Sequence, residues 1–162
     1  MNVLAGIVLY NPDPIRLREN IAAVRDQVDA VAVWDNGSKS PVSLDGDIIR
    51  LSQGSRNIGI ASALNGLCRY ARDHGYDWIL TLDQDSVVPA SLVAGYAKYT
   101  GDDAIGMLCP CILDRNYGSM DYDIGSGQET QEVDACITSA SLLRLSAWER
   151  VGGFWDELFI DM

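Results

Sequence analysis

The sequence predicts an α/β fold, a mostly parallel central sheet with helices on both faces. Three observations lead there. Apolar, strand-like runs alternate with segments of helical period in the order β-α-β-β-α-β-α-β. The strongest runs, residues 3–10 and 78–82, are continuously hydrophobic, as strands covered on both faces are. The runs end abruptly in short Asp- and Asn-bearing segments, at the edge where open α/β sheets place ligands.

Residues 3–10 form the first predicted strand. Asn11-Pro12-Asp13-Pro14 breaks it and supplies a turn and a helix start. Leu17, Ile21, Val24 and Val28 then recur at helical spacing, which predicts a helix over 15–27. Residues 30–34 make a second strand, closed by Asp35-Asn36-Gly37-Ser38, and residues 48–51 a short third. Ile60, Leu64, Leu67, Cys68 and Ala71 mark a second helix ending near His74-Gly75, where Gly75 is a C-terminal stop. Residues 78–82 are the fourth strand, 91–99 a short helix and 104–109 a further strand. Residues 114–132, rich in Gly, Asp and Ser, read as a long loop or hairpin over the site, or equally as a surface insertion with no role. No repeat, linker or low-complexity tract interrupts the chain, so residues 1–162 are read as a single domain. The apolar and acidic ending, Gly152 to Met162, lacks a polar tail and predicts a domain incomplete at its C-terminus.

The 162 residues suffice for one domain with a proper core. A formal net charge of -11, from 23 acidic against 12 basic residues, argues against nucleic-acid binding through a basic surface. It leaves room for a nucleotide whose phosphates a metal neutralises. No apolar segment is long enough to span a bilayer, and the first residues lack the basic region of a signal peptide, so the expected compartment is the cytoplasm. Cys68, Cys109, Cys111 and Cys136 fit that compartment as structural or buried thiols; Cys109-Pro110-Cys111 has one intervening residue, not the two of a zinc knuckle.

Chemistry concentrates in Leu82-Asp83-Gln84-Asp85-Ser86. In an extended chain residues i and i+2 share a side, so Asp83 and Asp85 can converge. Two convergent carboxylates call for a cation, and a hard divalent ion with substrate phosphates is the natural solution. The competing reading is a solvated turn. Asp35 can accept hydrogen bonds from a ribose or base, or be part of an ordinary turn. Arg56-Asn57-Ile58-Gly59 opens a helix whose start favours anions, or Asn57 merely caps it. Thr138-Ser139-Ala140-Ser141 either lines a pocket or is the solvent-facing part of a strand. A Gly-x-Gly-x-x-Gly fingerprint and a Gly-x-Ser-x-Gly elbow are both absent, which disfavours a standard dinucleotide fold and a serine hydrolase.

Together these segments resemble glycosyltransferase family 2, with its GT-A nucleotide-diphospho-sugar transferase fold. Ile7-Val8-Leu9-Tyr10-Asn11-Pro12 resembles the strand and loop that hold the nucleotide base. Val33-Trp34-Asp35-Asn36-Gly37-Ser38 is similar to the element whose aspartate contacts the base, and residues 57–65 to the family's N-x-G-x-x-x-A-x-N helix start. Leu82-Asp83-Gln84-Asp85-Ser86 resembles the D-x-D motif. Residues 139–144 and Val151-Gly152-Gly153-Phe154 resemble the acceptor-side segment. The resemblance implies donor contacts from Tyr10, Asn11, Asp35, Asn57, Asn65, Asp83 and Gln84. It also implies Mg²⁺ or Mn²⁺ on Asp83 and Asp85, and an acceptor side at Ser139, Ser141 and Gly153. The wording of the motifs is most similar to the rhamnosyltransferase branch. That implies inverting transfer from dTDP-rhamnose to a saccharide or lipid-linked acceptor, in building polysaccharide such as O-antigen, at the inner face of the cytoplasmic membrane. In the family a carboxylate base follows the Gly-Gly-Phe segment; here it is expected a few residues beyond Met162, with Asp161 its near neighbour, so donor binding with little transfer is expected. Three other readings compete. One is a non-catalytic nucleotide-sugar binding module. A second is a haloacid-dehalogenase-like phosphatase using Asp83 and Asp85, disfavoured because Lys98 is the only lysine after them. A nucleotidyltransferase is disfavoured by the missing glycine-rich loop after Ile7.

Overall fold

A computed structural model describes residues 1–111, 113–114, 118–119 and 129–159. In chain order the elements begin with β1 (Val3–Leu9), α1 (Pro14–Val24) with a 3-10 turn (Arg25–Gln27), β2 (Ala30–Asp35), β3 (Ile48–Ser52), α2 (Ile60–Asp73) and β4 (Trp78–Leu82). They continue with α3 (Leu92–Ala97), β5 (Met107–Leu108), β6 (Leu113–Asp114), β7 (Gly118–Ser119), β8 (Ser141–Arg144) and α4 (Leu145–Val151). The six-stranded sheet has the order β3-β2-β1-β4-β8-β5. β3, β2, β1 and β4 run parallel, and β8 is antiparallel to both of its neighbours.

Every residue of β1 and of β4 is buried, which explains their largely apolar sequences, Thr81 being the polar exception. On one face Val3, Ala5, Ile7 and Leu9 join Leu17, Ile21 and Val24 of α1 and Val93 and Tyr96 of α3. On the other, Leu4 and Val8 join Ala63, Leu64 and Leu67 of α2 and Trp148 of α4. Alternate residues of one strand thus feed two separate cores.

Local chemistry sets the helix boundaries. The Asp13 carboxylate accepts from the Ile15 and Arg16 amides at 2.8 and 2.9 Å, with Pro14 in the first turn, a matched N-cap and start. Those bonds, Arg16 first and Ile15 second, hold its pKa below the usual carboxylate value. At the far end of α2, Gly75 adopts φ +77°, the left-handed stop expected there. Midway along α2, Gly66 faces the Trp34 ring; a Cβ on it would lie 2.2 Å from a ring carbon.

Four expectations need correction. The first helix ends at Val24 and tightens to 3-10 geometry for its last turn. The short helix over 91–99 covers only Leu92–Ala97. The strand over 104–109 shrinks to Met107–Leu108, because the carbonyls before it serve a side chain instead of a ladder. Arg144 collects Thr100, Asp102 and Ile105 carbonyls at 3.0, 2.7 and 2.8 Å while its guanidinium stands 4.4 Å over the Trp78 ring. Ser139 and Ser141 are buried, so the solvent-facing reading of that cluster is wrong: Ser141 begins β8, inserted between β4 and β5. Within residues 114–132, Asp114 pairs with Gly118 in an antiparallel ladder, as a hairpin would; 115–117 and 120–128 lie outside the described residues.

Candidate donor and metal site at the carboxyl edge of the sheet

The parallel strands β2, β1 and β4 deliver Asp35, Tyr10 and Asp83 to one edge, with β1 in the middle. Asn11, at φ +48°, donates its amide to Ser38 Oγ at 3.0 Å and accepts from the Lys39 amide at 2.9 Å. The ends of β1 and β2 are thereby tied together. On the other side, Gln84 Oε1 accepts from the Tyr10 amide at 2.9 Å and Gln84 Nε2 donates to the Tyr10 carbonyl at 3.4 Å. The Gln84 side chain therefore extends the pairing of β1 and β4 by one rung. The Tyr10 ring is left exposed above this edge.

Asp35 closes a turn, as one of its readings has it, and it also faces a cleft. Its Oδ1 accepts from the Ser38 amide at 2.9 Å, so it closes a turn. It also lines a cleft of about 190 Å³ with Leu9, Val33, Val42, Leu44 and Arg50. Arg50 shapes that cleft by donating to the Val42 and Leu44 carbonyls at 3.1 and 2.9 Å. Apolar walls around one carboxylate and one guanidinium suit a flat, polar-edged ring.

Asp83 and Asp85 stand exposed just past β4. The backbone of Asp83 leaves the sheet ladder and is held by two side chains. Its amide donates to Ser139 Oγ at 3.4 Å, and its carbonyl accepts from Asn20 Nδ2 of α1. Ser139 Oγ also meets Ser86 Oγ at 2.9 Å, which fixes the far end of the Asp83–Ser86 turn. Among the described residues no three His, Cys, Asp or Glu side chains form a metal cage. Two exposed carboxylates are of the kind that suits a Mg²⁺ or Mn²⁺ ion completing its shell with phosphates and water. The residues fit such an ion.

The start of α2 departs from the reading in which Asn57 caps it. Gly59, not Asn57, is the N-cap, at φ +87°. Asn57 Oδ1 accepts from the Gly59 amide and from Asn36 Nδ2, each at 2.9 Å. The Ile60 amide, which an anion would need, donates to the Phe159 carbonyl at 2.9 Å. A Cβ on Gly59 would lie 3.0 Å from the backbone of Phe159. The segment before the chain end therefore occupies the helix start.

Asn65 is similarly committed. Its Nδ2 donates to the Phe154 carbonyl at 2.8 Å and to Asp156 Oδ1 at 2.7 Å. Its Oδ1 accepts from Trp148 Nε1 at 3.0 Å and the Phe154 amide at 2.9 Å. That fills the side chain's capacity and leaves nothing for a donor. Gly153, at φ +88°, is required by this junction, since a Cβ there would lie 2.8 Å from Asn65 Oδ1. Ser141 Oγ donates to the Ile137 carbonyl at 2.8 Å inside the sheet and does not face an open site. Asp161 lies outside the described residues. Lys98, the lysine a phosphatase would need, lies 3.9 Å from Glu129 on the surface.

Two residues escaped the sequence reading. Asn36, buried, donates to Asn57 Oδ1 and to the Gly59 carbonyl, and accepts from the Ile58 amide at 3.0 Å. Its place beside Asp35 was the available signal. Asn20, fully buried on the apolar face of α1, has an Oδ1 with no partner among the described residues. A buried acceptor left unpaired costs about 1–3 kcal/mol. A polar residue breaking the Leu17, Ile21, Val24 face was its signal.

The sequence model of the family described as "Glycosyl transferase family 2" matches residues 5–154. The chain is 27% identical, over 176 aligned residues, to a protein of Shigella flexneri described as "dTDP-rhamnosyl transferase RfbF", covering 99% of this chain and 60% of that protein. In structure it is similar to residues 1–349 of TarS from S. aureus, with a TM-score of 0.65 at 13% identity, over 98% of this chain and 51% of that 1–349 chain. The form of TarS in complex with UDP-GlcNAc gives 0.67 at 10% identity, over 96% and 48%. The chain thus spans about 60% of the curated relative and about half of the solved one.

Proposed function

Because the chain belongs to glycosyl transferase family 2, we propose that it binds a nucleotide-sugar along the carboxyl edge of its sheet and serves transfer of the sugar to an acceptor hydroxyl. One observation carries the reading: the Asp35 cleft and the Asp83/Asp85 carboxylates share that edge, with β1 between them. Two interstrand steps are about 10 Å, the scale of a nucleoside diphosphate laid from base to terminal phosphate. On this reading the base enters the cleft against Asp35, Tyr10 covers it, and Asn11 fixes the rim. The diphosphate reaches Asp83 and Asp85, which would hold Mg²⁺ or Mn²⁺. When bound, the cation would offset the charge on the leaving diphosphate. Gln84 and Ser139 keep the turn in place for it.

The donor is proposed to be dTDP-rhamnose and the acceptor a saccharide or lipid-linked hydroxyl in polysaccharide assembly such as O-antigen. The similarity to the rhamnosyl transferase supports that choice. Among the described residues no helix is long and apolar enough to cross a membrane; work at the cytoplasmic face of a membrane is part of the proposal. For the inverting step the base is a carboxylate after the Gly152-Gly153-Phe154 turn. Asp156 is engaged by Ser62 and Asn65, so Asp161 or a near neighbour is the better choice.

Calorimetric titration with dTDP, UDP and GDP, in Mn²⁺ and then in EDTA, tests the reading on wild type and on Asp83→Ala/Asp85→Ala. Metal-dependent binding of dTDP, lost in the double variant, is expected. Binding indifferent to metal and to both substitutions, or none by the folded protein, would overturn it.

A further inference from the structure

We infer that Asn20 is a positioning residue for the metal end of this site, acting through the backbone of Asp83. The inference rests on the donor reading above and adds a residue to it. Both polar groups of the Asp83 backbone have left the sheet ladder: the amide is met by Ser139 Oγ, and the carbonyl by Asn20 Nδ2 and, at the longer distance of 3.5 Å, by the Ser86 amide. These groups flank the two soft torsions of Asp83, so holding them fixes where its carboxylate points. Ser139 comes from the segment before β8 and Asn20 from α1, elements joined to the turn by no local sequence. The Asp83 side chain is exposed while the Asn20 side chain is wholly buried, so the holding group is the rigid one.

The Oδ1 of Asn20, without a partner among the described residues, is the second observation. Its neighbours on α1 are Leu17, Ile21 and Val24, and a leucine at this position would continue their apolar face without an orphaned acceptor. An amide that leaves one of its two polar ends unsatisfied in a core is poorly explained by stability. Its other end explains it, because that end sets the geometry on which a cation-binding carboxylate depends.

The test is Asn20→Leu, which keeps the branched shape and the number of side-chain heavy atoms, and Asn20→Ala, which removes the branch. Each is titrated with dTDP in Mn²⁺, and with thymidine alone as a probe of the base cleft. Both variants are expected to fold, with a roughly tenfold weaker Mn²⁺-dependent affinity for dTDP and unchanged affinity for thymidine. Equal loss of dTDP and thymidine binding, or no change in either, overturns the inference. Failure of both variants to fold makes Asn20 a structural residue and overturns it as well. If wild type binds dTDP without regard to Mn²⁺, the donor reading itself falls and takes the inference with it.

Discussion

Asn65→Ala separates a donor contact from a structural clasp. The side chain makes four hydrogen bonds of 2.7–3.0 Å, all to α4 and the segment following it. Truncation strips partners from Trp148 Nε1, from both backbone groups of Phe154 and from Asp156. The consequences are unequal. Asp156 is exposed and rehydrates, and Phe154 is half-buried, whereas Trp148 is buried and its indole N–H is left without an acceptor. With about 1 kcal/mol for an ordinary bond and about 1–3 for a buried group left unmade, the expected loss is about 3 kcal/mol. For a chain of this length that lowers the melting temperature by about 6–12 °C. Circular dichroism melts read the shift, and a double-mutant cycle with Trp148→Phe assigns the indole bond its share. At low temperature, where the variant remains folded, its affinity for dTDP is expected to match wild type. A variant of unchanged stability that no longer binds nucleotide would refute the reasoning and return Asn65 to the donor site.

Gly66→Ala should destabilise although alanine is the better helix former. The ring carbons of Trp34 at 2.2 and 2.4 Å from the new Cβ force an overpacking cost of about 1–3 kcal/mol against a propensity gain of about 1; a lower urea midpoint, restored by adding Trp34→Leu, is the expected result. Asp13→Ala should lower the melting temperature at neutral pH. Since the folded pKa of Asp13 lies below its unfolded value, its contribution is full above the ordinary carboxylate pKa and fades as pH falls through the folded one, so the gap to wild type narrows in melts below about pH 3.9. Burial pushes the Cys68 thiol up to about 12, and burial with the neighbouring Cys136 raises Cys109 to about 11. A chromogenic disulfide reagent at pH 8 should therefore react first with exposed Cys111, and with Cys68 only after unfolding.

Much of the α/β layout was legible because its signals are local. β1 and β4 declare themselves as largely apolar runs, α1 by Asp13-Pro14 and its spacing, α2 by its period and by Gly75. The place of Asp83, Asp85 and Asp35 at strand ends was legible for the same reason, since an apolar run that stops at a carboxylate marks where a strand leaves the sheet. What was illegible depends on partners far along the chain. Four residues of β8 carry no sign that they insert antiparallel between β4 and β5. Arg144 reads as a surface charge until three carbonyls and the Trp78 ring surround it. Asn65 sits in a motif whose spacing suggests ligand, but its partners lie at Trp148, Phe154 and Asp156. The bond from the Ile60 amide to the Phe159 carbonyl was equally illegible, because its partner lies about a hundred residues along the chain.

The docking of Phe159 makes the beginning of α2 a relay as well as an anchor. Phe159 holds Ile60, whose neighbour Gly59 is held by Asn36, and Asn36 adjoins the carboxylate in the cleft. Each link is a hydrogen bond or a single peptide unit, so there is little slack between the first and the last. A shift of the segment around Trp155 and Phe159, whose rings stand largely exposed, would be felt at Asp35 as a change of posture. The cleft where a base is proposed to sit is thus joined, through Asn36 and Gly59, to the segment that carries Trp155 and Phe159.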